Sequence, residues 1–206
     1  MNIALLGTGT VAQTIAPTLE AKGHAVRVGS RTPAAVPAGL AKHAGTARDA
    51  IATAEVVINA LPGAVAVDAL SPLAAELTGK TVIDLSNAIS QTPEGFELVY
   101  PNASVGAALQ AALPQARVVK AMNSMSAAII ADPTGLAAPI QVFIAGNDAA
   151  AKAETAVLLT DLGWPAAEIV DLGGIEHARG PEHTFLLLAS LFGLYRTPRL
   201  GLAVVR

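Results

Sequence analysis

The sequence contains no cysteine, which excludes disulfides, thiolate nucleophiles and thiolate metal sites. Aromatic residues make up only 3% of the chain, too few for the stacking platforms of single-strand nucleic-acid binders. Charge is sparse too. Asp, Glu, Lys and Arg together account for 14%, and the net charge is −3 with no basic block, so the electrostatic footprint of a nucleic-acid-binding protein is missing. No apolar run is long. The most apolar late stretch, Phe185 to Leu194, spans ten residues, against the ~20 that a helix needs to cross a bilayer; it reads as a core or interface helix, and no membrane partner is expected. The amino-terminal apolar run lacks a basic flank and stops at a glycine, unlike a secretion signal, so the cytoplasm is the expected compartment. Also missing are H-E-x-x-H, G-x-S-x-G and a loop with paired carboxylates.

What is present is apolar residues, 52%, and glycine, 18 of 206 residues, enough for one α/β core with tight turns. The chain opens on the apolar run Ile3 to Leu6, followed by Gly7-Thr-Gly-Thr-Val-Ala12. A strand buried on both faces leading through G-x-G-x-x-A into a helix is a dinucleotide-binding opening. Gly7 permits the tight turn, Gly9 lets a pyrophosphate approach the backbone, and Ala12 lets helix and strand pack closely. Free N–H groups at the helix start then face the phosphates.

Gly29 lies 20 residues beyond Gly9, the place where NAD enzymes carry an acid for the ribose 2′-hydroxyl. The loop there reads Gly29-Ser-Arg-Thr32, with no carboxylate to repel a phosphate. Arg31 can pair with a 2′-phosphate in bidentate fashion, and Ser30 and Thr32 add donors. Thr32 as N-cap and Pro33 as first helical residue would point a further helix start at this loop. The charge pattern therefore favours NADP(H) over NAD(H), the alternative being an ordinary solvated arginine.

The remaining strands are expected near 44–47, 55–61, 81–85, 117–121, 140–146 and 168–171. Helices are expected over 10–22, with a kink at Pro17, and over 64–77, 104–113, 148–162 and from about 175 or 181 to 195. Gln91 to Asn102 reads as an irregular excursion. The implied fold class is α/β: a Rossmann-type doubly wound, mainly parallel sheet, with residues 1–172 as the NADP-binding domain and 173–206 as a small C-terminal helical extension packed on the same unit. In such sheets the carboxyl ends of the strands form the ligand crevice, which nominates Leu61 and Pro62, Asn87, and Met122 and Asn123. Lys120 reads as a structural or surface residue, Asp84 as a strand-end residue bonding nearby N–H groups, and His24 and His43 as surface residues. His177 and His183 are six apart with Gly180-Pro181 between them, a spacing that shares no helical face, so a metal site is not expected.

Several stretches together resemble the coenzyme F420-dependent NADP oxidoreductases: Ala4 to Gly9, Gly23-His24, Val28 to Arg31, Gly79 to Asp84 with Ser86-Asn87, Val119 to Asn123, Phe143 to Asp148, and Asp171 onward with Ala178-Arg179 and Glu182. The resemblance spans nearly the whole chain, and Gly29-Ser-Arg31 is its most specific piece. It implies that Thr8 to Val11 touch the pyrophosphate, that Ser30, Arg31 and Thr32 hold the 2′-phosphate, and that Leu61-Pro62, Asn87 and Met122-Asn123 face ribose and nicotinamide. It also implies hydride transfer between NADP(H) and coenzyme F420 or a related flavin-like acceptor, with no catalytic acid–base residue needed. Ala12 replaces a glycine common in relatives, and Ala88 a proline. A homodimer through the apolar last helix is expected. The other class open to the sequence is a non-enzymatic NADP(H)-binding sensor, since a Rossmann fold does not fix a function.

Overall fold

In the computed structural model, which describes residues 1–93 and 95–205, short apolar strands alternate with helices in the order that a doubly wound sheet requires. Strand β1 (Asn2–Leu6), helix α1 (Thr10–Ala21), β2 (Ala25–Gly29), α2 (Ala38–Ala41), β3 (Ala44–Gly45), α3 (Ala47–Ala52) and β4 (Val56–Asn59) make the first half. The second half is α4 (Gly63–Leu70), β5 (Thr81–Asp84), a hairpin of β6 (Ile89–Thr92) and β7 (Gly95–Leu98), α5 (Val105–Ala112), β8 (Arg117–Ala121), α6 (Ala127–Ala131), β9 (Val142–Gly146), α7 (Ala149–Asp161), β10 (Ile169–Asp171) and α8 (Arg179–Tyr195).

Eight strands form one sheet in the order β10-β9-β8-β5-β4-β1-β2-β3. All neighbours are parallel except β8 and β9, which run antiparallel. The chain moves outward from β1 to β3, then returns to the other side of β1 with β4, so the strand order reverses between β1 and β4. That reversal opens a crevice at the carboxyl ends of the strands.

Residue alternation along the strands sorts the core into two layers. Ile3 and Leu5 of β1 join Ile15 and Leu19 of α1, Ile129 and Ile130 of α6 and Leu158 and Leu159 of α7. Ala4 and Leu6 face the other way, onto Ile51 of α3, Leu70 of α4 and Leu109 of α5. Each large aliphatic side chain so buried contributes about 1.5–3 kcal/mol of transfer free energy, which explains why strands of two to five residues suffice.

Several local expectations are corrected. The segment 91–102 is not irregular throughout: Ile89–Thr92 and Gly95–Leu98 pair as an antiparallel hairpin, while Glu94 lies outside the described residues. The helix expected over 64–77 ends at Leu70, where Pro72 favours a single 3₁₀ turn over Ser71–Leu73. Thr32 and Pro33 start only a 3₁₀ turn, Pro33–Ala35, because Pro37 follows at once and restricts the residue before it. The third strand is two residues long, and α6 was not anticipated. Helix α1 continues through the exposed Pro17, as the sequence leads one to expect. His24 is buried, 8% exposed, because α1 ends against it with Asp161 of α7 at 3.5 Å. His43 is half-buried and lies 2.6 Å from Glu20. Among the described residues no helix is long and apolar enough to cross a membrane.

Candidate functional site

The crevice is framed by five loops joined in sequence. Gly7 has φ 120°, a conformation that an L side chain rarely adopts, and its N–H donates to the Gly29 carbonyl at 3.2 Å. A methyl group on Gly7 would lie 2.7 Å from the Ala60 carbonyl oxygen. The β1 turn thus touches the loop after β2 on one side and the loop after β4 on the other. A methyl on Gly63 would lie 2.5 Å from the Asn87 carbonyl carbon, so the β4 and β5 loops are also in contact. Finally Asn87 Nδ2 donates to the Asn123 carbonyl at 2.8 Å, and Asn123 Nδ2 donates to Asn87 Oδ1 at 2.9 Å. The chain of contacts runs from Gly29 through Gly7, Ala60 and Asn87 to Asn123.

Gly9 is the N-cap of α1, with no side-chain cap, and a methyl there would meet nothing within 4 Å. Open space beside uncapped helix N–H groups is what an approaching pyrophosphate requires. Ala12 is fully buried; its small side chain lets α1 lie on the sheet. In the β2 loop the Thr32 N–H donates to Ser30 Oγ at 3.1 Å, while Arg31 is exposed. Among the described residues Arg31 has no ion-pair partner, and its guanidinium is available to an anion.

Across the crevice, Leu61 is half-buried, Pro62 exposed and Asn87 half-buried, whereas Met122 and Asn123 are buried. Met122 has φ 61°, costly for a long side chain without glycine's freedom, and such strain gathers at ligand sites. The sequence-nominated residues are therefore brought to one rim, with the exposed Arg31 at its far end.

Beneath this rim lies a buried polar network that the sequence only partly disclosed. Asp84 Oδ1 accepts from Asn59 Nδ2 at 2.8 Å, from the Ser86 N–H at 3.1 Å and from Ser86 Oγ at 2.7 Å. Asn59 Oδ1 in turn accepts from the Leu61 N–H at 3.2 Å. Lys120, expected as a structural or surface residue, is completely buried. Its ammonium donates to Asp84 Oδ2 at 2.8 Å and to the Ser86 carbonyl, and lies 3.0 Å from Glu182 Oε1. Glu182 accepts from the Val105 and Gly106 N–H groups at 2.8 and 3.0 Å, closing the amino end of α5. Two carboxylates and one ammonium leave a net negative charge, offset by the positive end of the α5 dipole. Removing one partner of such a buried set costs about 3–5 kcal/mol, since the others remain desolvated and unpaired. A lysine inside Val118-Val-Lys-Ala-Met122 was the available sign of burial with a partner; nothing in the sequence named Glu182 as that partner.

Comparison with known proteins agrees with this geometry. The family model described as NADP oxidoreductase, coenzyme F420-dependent, matches residues 2–88, from β1 to the loop after β5. The chain is 29% identical over 163 residues, 76% of its length and 70% of the relative's, to the F420-dependent NADP reductase of Methanocaldococcus jannaschii. It is 38% identical, over the full length of both chains and with a TM-score of 0.92, to a candidate F420-dependent NADP-reductase of known crystal structure from Arthrobacter sp. FB24. The chain belongs to the coenzyme F420-dependent NADP oxidoreductase family. As a member of it, the protein is an NADP-linked oxidoreductase. It is also 30% identical to the metalloreductase STEAP3 of Rattus norvegicus, over 98% of this chain but 40% of that one. For this family the described features fit a dinucleotide: a glycine turn with open space at Gly9, an unpaired arginine at the β2 end, and a continuous rim beyond β1.

Proposed function

We propose that the protein transfers a hydride between NADP(H) and the deazaflavin coenzyme F420 or a related flavin-like acceptor. The observation carrying this reading is the continuous rim from Gly29 to Asn123, which crosses the strand-order reversal and ends beside a strained residue, Met122. In it Gly7, Thr8, Gly9, Thr10 and Val11 receive the pyrophosphate at the α1 N-terminus. Arg31 pairs with the 2′-phosphate, and Ser30 and Thr32 flank it. Leu61, Pro62, Asn87, Met122 and Asn123 shape the nicotinamide end. The two substrates supply the redox chemistry, and the chain's task is to hold the rings in register and keep water out. No side chain is assigned a proton. Leu61 provides an apolar wall, Met122 anchors the β8 loop in the core, and Asn87 and Asn123 fix the separation of the β5 and β8 loops.

The test is to mix the pure protein with NADPH and oxidised F420 and follow the deazaflavin's visible absorbance. The reading expects its loss; NADPH binding without turnover would overturn it. We also read residues 173–206 as an extension of the same unit that mediates homodimerisation. Leu186, Leu187, Leu194 and Tyr195 of α8 are 37%, 54%, 71% and 63% exposed. No charged residue occurs between Thr184 and Tyr195, so an identical face meets this one without repulsion. Light scattering should give a dimer that Leu187→Glu dissociates; a wild-type monomer would contradict the assignment.

A further inference from the structure

The Asp84–Lys120–Glu182 network does more than satisfy its own charges, because each of its arms ends on a different part of the crevice. Lys120 is a three-donor group, and its three acceptors come from three segments: the end of β5 (Asp84), the loop after β5 (the Ser86 carbonyl) and helix α8 (Glu182). Asp84 reaches the β4 loop through Asn59, whose Oδ1 holds the Leu61 N–H. The Ser86 carbonyl precedes Asn87, which grips Asn123 of the β8 loop. The loops after β4, β5 and β8 are thus tied to one buried ammonium. Among the described residues those after β1 and β2 share no side chain with the network: they are joined to each other by the Gly7–Gly29 backbone bond and meet the β4 loop through backbone alone, at Ala60. The fastening is therefore confined to one half of the crevice.

We propose that Lys120 is a positioning residue for the nicotinamide half of the cofactor, and that Glu182 carries the placement of α8 into the same rim. The inference rests on the NADP(H) reading above. It assigns the loops after β4, β5 and β8 a common geometry set from below, so that loosening the ammonium widens the nicotinamide end and leaves the phosphate end as it was. Glu182 is the only one of the three charged groups that lies outside the sheet. Its two bonds to the start of α5 fix α8 against the unit, so the last helix and the rim move together. Gly106 permits this approach: a methyl there would lie 3.2 Å from Ala178 Cβ and 3.5 Å from Glu182 Oε1.

The test compares two ligands on three proteins: NADPH, and adenosine 2′,5′-bisphosphate, which carries only the adenine half, titrated into wild type, Lys120→Met and Glu182→Gln. Glu182→Gln keeps the size and one acceptor, so it guards against loss of the fold in Lys120→Met; circular dichroism and a cooperative melt establish that each variant is folded. The expected result is NADPH binding weakened about tenfold in either folded variant, with adenosine 2′,5′-bisphosphate binding unchanged. Lys120→Arg, which keeps the charge and the donors, should recover part of the loss. Equal weakening of both ligands, or of neither, would overturn the proposal. Wild-type protein that bound neither ligand would instead overturn the NADP(H) reading beneath it.

Discussion

Gly7 and Ala60 approach so closely that a methyl group on the glycine would sit 2.7 Å from the alanine carbonyl oxygen. Gly7 is therefore required by the fold itself, at the point where the strand order reverses. Gly9, two residues on, faces no protein atom within 4 Å of where its methyl would be. The two glycines of one motif thus differ in what they serve, and the difference is measurable. Gly7→Ala should destabilise the fold by roughly 1–3 kcal/mol through strain at positive φ and collision with Ala60. Gly9→Ala should leave the melting temperature unchanged and weaken NADPH, because the methyl occupies the pyrophosphate's space. Intact NADPH affinity in Gly9→Ala would contradict the phosphate assignment.

Arg31 stands exposed at the end of β2 with no carboxylate in its loop. A charge-assisted pair with a phosphate contributes about 1.5–3 kcal/mol. Arg31→Ala should accordingly weaken NADPH about tenfold or more and barely change NADH. Titrations with both nucleotides check this; equal losses would place the arginine elsewhere.

The start of α3 supplies an acid-sensitive contact next to this loop. Thr46 and Asp49 form a capping box, and the Thr46 hydroxyl, at 2.6 Å, with the Thr46 N–H, at 3.1 Å, holds the Asp49 carboxyl below its ordinary value of 3.8. A carboxylate depressed in the folded state stabilises it above its unfolded pKa, and the contribution fades as pH falls through the lowered folded value. The melting temperature should therefore drop on acidification below about pH 4. Thr46→Ala should lower it by a few degrees at neutral pH and flatten that acid-dependent fall. An unchanged slope would show that Asp49 does not sense the cap.

How far the sequence reveals this molecule depends on whether the deciding contacts are local. Ile3 to Leu6 and the G-x-G-x-x-A turn announce the opening because their chemistry is contained within a dozen residues. The composition of Gly29-Ser-Arg-Thr32 is legible for the same reason: one arginine and no carboxylate stand in one loop, and the fold leaves that arginine exposed at the end of β2. Ile89–Thr92 and Gly95–Leu98 were hidden because a turn rich in proline and glycine resembles a loop until its flanks are seen to pair. Lys120 and Glu182 are 62 residues apart, and only the packing of α8 on the start of α5, over the sheet, brings them to 3.0 Å. Asn87 and Asn123 were named separately as rim residues; that they grip each other follows from the adjacency of β5 and β8, which neither segment encodes alone.

The most direct test of hydride transfer uses NADPH deuterated at C4 of the nicotinamide, each epimer in turn, with oxidised F420 and the wild-type protein in ordinary water. The proposed transfer would break the C4–D bond and form a C–D bond at C5 of the deazaflavin, with the accompanying proton coming from solvent. Proposed transfer from a nicotinamide held in one orientation predicts deuterium in the reduced deazaflavin from one epimer and none from the other. Reduced F420 without label from either epimer, or no reduction at all while NADPH stays bound, would contradict it.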